Sequence, residues 1–94
     1  MKKINLLGVE IQVKEVDVVN KENPSKGDYN YLTATILLDK NMPVSMKNNT
    51  LVHELLHATF DLLGYDELRD DEQIVQALGS ALNQLFQQDV LYRK

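Results

Sequence analysis

The residues of this chain best suited to chemistry are its only two histidines, His53 and His57, with Glu54 between them in the run His53-Glu54-Leu55-Leu56-His57. Side chains four residues apart on a helix lie on one face, one turn apart, so both imidazoles can bind one ion. Glu54 lies one step round the helix, where it reaches a metal-bound water and not the metal. This division of labour suits hydrolysis. Zinc lowers the pKa of its water toward neutrality, and a carboxylate takes the proton as the water attacks a carbonyl. The chain has no cysteine, which excludes thiolate zinc sites and disulfide staples.

A catalytic zinc site needs three protein ligands and one open position. The position six residues beyond His57, where a metzincin carries another histidine, is Leu63, so the third ligand is expected to be a carboxylate. Asp61 sits one turn past His57 on the same helix. It is better placed to support a ligand or to pair with a cation at the helix end. Asp66 and Glu67 belong to the connecting loop. Glu72 falls in the first turn of a second helix, with Val75 and Leu78 following at helical spacing on the face toward the first helix. Asp71 is its rival by phase.

The elements that must position these residues can be read outward from the motif. Leu51, Val52, Leu55, Leu56 and Ala58 surround the histidines, which predicts a helix buried on nearly every side. It should run from about Met46 to Leu63, with Ser45 as N-cap and Gly64 as terminator. A second helix is expected from about Asp70 to Asp89, opening on an acidic turn that complements the helix dipole. Upstream, residues 4–19 alternate with β-branched residues at Val9, Ile11 and Val13, indicating a strand that Gly8 divides in two. Residues 20–28 read as a loop broken by Pro24 and Gly27. Tyr29 to Asp39 reads as one strand, with Tyr31, Thr33 and Thr35 on its polar face and Leu32, Ala34, Ile36 and Leu38 on the other. Strands followed by helices define an α+β class, here a single domain over residues 1–94.

At 94 residues, with 44% hydrophobic and 26% charged content, the chain has the composition of a folded protein with one small core. Its net charge of −4 and lack of a basic stripe argue against nucleic acid as a partner. The apolar run Ile4 to Val9 after Lys2 and Lys3 is interrupted by Glu10 and is too short for a signal peptide. No apolar stretch is long enough to span a bilayer, so a cytoplasmic protein without a membrane role is expected.

The histidine motif, followed by Glu72-Gln73-Ile74-Val75-Gln76-Ala77-Leu78, resembles the compact gluzincins, meaning the minigluzincins and the ImmA/IrrE-like small phage or prophage proteins. The likeness covers roughly residues 27–86. It implies a minimal zincin-like metallopeptidase, with a short antiparallel or mixed sheet of about three strands, an active-site helix and a glutamate-bearing helix. It further implies one zinc ion per chain held by His53, His57 and Glu72, Glu54 as general base and acid, and a peptide or protein substrate. Tyr65, just past the helix terminator, is a candidate stabiliser of the transition state. Tyr31, Thr33 and Thr35 are candidate residues of an edge strand along which substrate would lie. The alternative is a regulatory or protein-binding module of phage or prophage origin that keeps zinc without cleaving.

Overall fold

The computed structural model describes residues 2–17, 19 and 26–92. Four strands come first: β1 (Lys2–Leu6), β2 (Val9–Val16), β3 (Gly27–Asn30) and β4 (Thr35–Asp39). Three helices follow: α1 (Val44–Leu63), the one-turn α2 (Asp66–Arg69) and α3 (Glu72–Phe86). This is the expected α+β order, with four strands where about three were anticipated.

The strands form one mixed sheet in the order β1-β2-β4-β3. β1 pairs antiparallel with β2, β2 runs parallel to β4, and β3 returns antiparallel along the outer side of β4. Registry places Val13 beside Ile36 and Ile36 beside Tyr29, so these residues share one face. On that face Ile11, Val13, Ile36 and Leu38 are buried with Ala58 of α1, and Leu51 and Leu55 pack around them. The opposite face carries polar residues such as Lys3, Gln12, Lys14 and Asp28. Period-two patterning therefore produced a sheet covered on one side only.

The break at Leu7 and Gly8 falls where expected. The Tyr29–Asp39 segment differs. It is not one strand but two, separated by a turn over residues 31–34. Asn30 drives the reversal: its Oδ1 accepts from the backbone N–H of Leu32 (2.9 Å) and of Thr33 (3.4 Å). Such side-chain bonding offers the backbone an alternative to a ladder. Ala34 takes φ of 50° to complete the turn. Gly27, expected in a loop, opens β3 instead. Residues 20–25 of that loop, and Val18 before it, lie outside the described residues.

α1 starts at Val44 with Pro43 as its N-cap, and no side chain caps it, so Ser45 falls inside the first turn. Pro43 needs no N–H there. Its end is as expected: Gly64 takes the left-handed conformation (φ 81°), and its N–H returns to the Asp61 carbonyl (3.1 Å). Only Glu54 and Ala58 of this helix are buried. So α1 is not enclosed on nearly every side, because a chain this short covers it with the sheet on one flank and α3 on another. α3 approaches closely at Gly79, where a Cβ would lie 3.5 Å from the His53 Cα. Among the described residues no helix is long and apolar enough to cross a membrane.

Candidate metal centre

α1 carries His53 and His57 on successive turns, and α3 begins with Glu72 directly opposite them. His53 Nε2 lies 3.1 Å from Glu72 Oε2, and His57 Nε2 lies 3.0 Å from Glu72 Oε1. The two Nε2 atoms are 3.2 Å apart. Three donors at about 2.0–2.1 Å from a tetrahedral ion would be separated by roughly 3.3 Å, so the spacing fits such an ion with little movement. The rings meet edge to face rather than stacked, with centroids 4.9 Å apart and an interplanar angle of 69°, which brings both nitrogens to the same point.

The hydrogen-bonding pattern suits a shared proton or a bound cation between the three groups. His57 Nδ1 lies 2.6 Å from the backbone carbonyl of Arg69 and can only donate to it. In the neutral ring, Nε2 then presents a lone pair toward His53 Nε2 and the Glu72 carboxylate. A lone pair and a carboxylate at 3.0 Å repel unless a proton or a metal ion lies between them. His53, His57 and Glu72 are thus a group that could hold a metal ion.

Glu54 is the one buried charged residue among those described. Burial pushes its carboxyl up to about 7; His57 opposes the shift, while Asp28 and Glu72 add to it. A cleft of about 470 Å³ reaches it beside His53 and Glu72, between Lys26 and the start of β3 (Gly27, Asp28), α1 (Asn49, Thr50) and Gln76 of α3. A smaller cleft of about 230 Å³ lies on the His57 side, bounded by Asp28, Tyr29, Tyr31, Arg69, Asp70 and Glu72. Asp28 and Glu72 border both. The two clefts therefore flank the three donors.

The remaining expected site residues separate clearly. Asp71 is not a donor: it is the N-cap of α3, its Oδ1 accepting from the Ile74 N–H at 3.1 Å. Asp61 pairs with Arg69 (Oδ1 to Nη1, 2.9 Å), and its Oδ2 accepts from the Tyr29 hydroxyl at 3.3 Å. Tyr65 precedes α2 and is exposed, in a hollow formed with Gly64, Asp66, Glu67 and Leu68 and no donor residue. It is therefore displaced from the centre, because the chain turns into α2 immediately after α1. Tyr31 and Thr33 belong to the turn, and Thr35 opens β4, which lies between β2 and β3. The end strand beside the cleft is β3. Sequence reasoning missed Arg69, which contributes through its main chain, and Asp28, whose role depends on where β3 lies. No known protein family, curated protein or solved structure matches this chain.

Proposed function

We propose that this chain is a minimal gluzincin-type hydrolase that binds one zinc ion through His53, His57 and Glu72 and cleaves peptide bonds. The observation that carries the reading is the convergence of two imidazoles and a carboxylate on one point, with the buried Glu54 opening into the adjoining cleft. Two nitrogens and one oxygen suit zinc, and three protein donors leave a fourth position open. Bound there, zinc supplies a Lewis acid for a carbonyl and lowers the pKa of water. Glu54 takes the proton of the attacking water on its carboxylate and returns it to the departing amine. β3, an end strand bordering the cleft, offers an extended peptide a main-chain partner.

A second reading rests on Glu72 bridging two helices. An ion there would tie the start of α3 to α1 and could serve as a structural pin without cleavage. One comparison separates the two. Zinc-loaded wild type and Glu54→Gln are incubated with a diverse peptide library, and both are assayed for bound zinc. The hydrolase reading expects equal zinc, with cleavage by the wild type only. Zinc-loaded wild type that cleaves nothing would favour the pin, and unchanged cleavage by Glu54→Gln would remove Glu54 from the chemistry.

A further inference from the structure

We propose that Arg69 is a positioning residue for the metal centre, gripping α1 at both ends of the residue: its carbonyl on His57 and its guanidinium on Asp61. The inference rests on the metal-binding part of the reading above and deepens it.

Residue 69 closes α2, a helix of four residues. A single turn is too short to hold its own geometry, and its last carbonyls have no partner within it. The Arg69 carbonyl nevertheless lies 2.6 Å from His57 Nδ1. The side chain accounts for that placement. Arg69 Nη1 meets Asp61 Oδ1 at 2.9 Å, and both side chains are largely enclosed, at 24% and 18% exposure. Its other pairs, with Asp66 (3.4 Å) and Asp70 (3.0 Å), involve carboxylates that are 71% exposed. The Asp66 pair is exposed and holds little, and the Asp70 contact, though bidentate (3.0 and 3.3 Å), joins Arg69 only to its neighbour in sequence and not to α1. The enclosed pair with Asp61 is the effective one, and the Tyr29 hydroxyl steadies Asp61 from β3.

His57 and Asp61 are one turn apart on α1, so backbone and side chain of one residue seize adjacent rungs of the same helix face. Two consequences reach the ion. The carbonyl keeps the proton on His57 Nδ1 and leaves Nε2 open to a metal. Glu72 follows three residues later, with only Asp70 and Asp71 between, so the same grip sets where its carboxylate falls.

The test measures zinc affinity by competition with a chromogenic chelator, together with the His57 tautomer by nitrogen-detected NMR of metal-free protein. Arg69→Gln and Asp61→Asn should each weaken zinc binding about ten- to a hundredfold. The double variant should lose no more than either single, because both remove one clamp. Arg69→Lys should recover part of the loss, and Asp66→Asn should stay within about twofold of wild type. The His57 Nδ1–H tautomer, single in the wild type, should become mixed in Arg69→Gln. If Arg69→Gln does not fold, Asp61→Asn carries the same comparison. Unchanged affinity and tautomer, with only a lower unfolding midpoint, would reduce Arg69 to a structural residue and overturn the proposal. Wild type that takes up no zinc would instead remove the metal reading beneath it.

Discussion

The sheet side of α1 and its α2–α3 side are built on different principles. Toward the sheet, Ile11, Val13, Ile36, Leu38 and Ala58 form an apolar core that many hydrophobic combinations of similar volume would fill. Toward α2 and α3, the chain links His53, His57, Glu72, Arg69 and Asp61 in a series of polar contacts of 2.6 to 3.1 Å, in which each group must meet particular partners. The first region supplies stability and tolerates approximation. The second depends on direction and distance, and it fails if one group moves by an ångström. Stability and metal binding should accordingly respond to different substitutions.

Substitution of the fully buried Ile36 should give the largest separation. Ile36→Ala should destabilise the fold by about 2–5 kcal/mol in denaturant melts, while the folded fraction keeps wild-type zinc affinity. Loss of zinc affinity in proportion to stability would dissolve the contrast between the two regions.

Glu54 belongs to both regions, since it is buried and chemical at once. A carboxyl raised from 4.5 to about 7 by folding contributes stability that is complete below pH 4.5 and lost as pH rises through about 7. Glu54→Gln has no such loss. Chelator-stripped Glu54→Gln should therefore be more stable than stripped wild type at pH 8, by about 3 kcal/mol, and nearly equal to it at pH 4. Urea melts across that range measure the crossover, and parallel curves would show that burial does not displace this carboxyl.

Gly27 probes the seam where β3 meets α1 beside Glu54. A Cβ there would lie 2.6 Å from Thr50 Cγ2 and 3.3 Å from Glu54 Cγ. Gly27→Ala should cost about 1–2 kcal/mol, and adding Thr50→Ser, which deletes the offending methyl, should restore most of it. A single variant as stable as wild type would mean that the seam gives freely.

The smallest expected effect distinguishes neighbouring acids. Asp71→Ala removes the N-cap of α3 and should cost about 1 kcal/mol in thermal melts with little change in zinc affinity. Glu72→Ala should do the reverse. Equal losses of zinc from both would mean that the two acids share the ion.

Legibility in the sequence follows the same division. The helix bearing His53, Glu54 and His57 was legible because spacing alone fixes a helical face, and Gly64 marked its end. The choice between Asp71 and Glu72 was not, because one residue of phase separates a cap from a donor, and helix starts are read no more finely than that. The turn at 31–34 was hidden by an alternation that continues through Tyr31, Leu32, Thr33 and Ala34 without Gly or Pro; Asn30 was the only local sign. Arg69 was legible only in part: Asp61 pointed to a cation near the helix end without saying which, and a carbonyl that accepts from His57 belongs to every residue type.

The central claim, that His53, His57 and Glu72 hold one zinc ion, is tested most directly by zinc-edge X-ray absorption on protein reconstituted with stoichiometric zinc. The account predicts one zinc per chain, with two imidazoles and oxygen neighbours at about 2.0–2.1 Å, and loss of one imidazole contribution in His57→Ala. No stoichiometric zinc, or a spectrum that His57→Ala leaves unchanged, would contradict it.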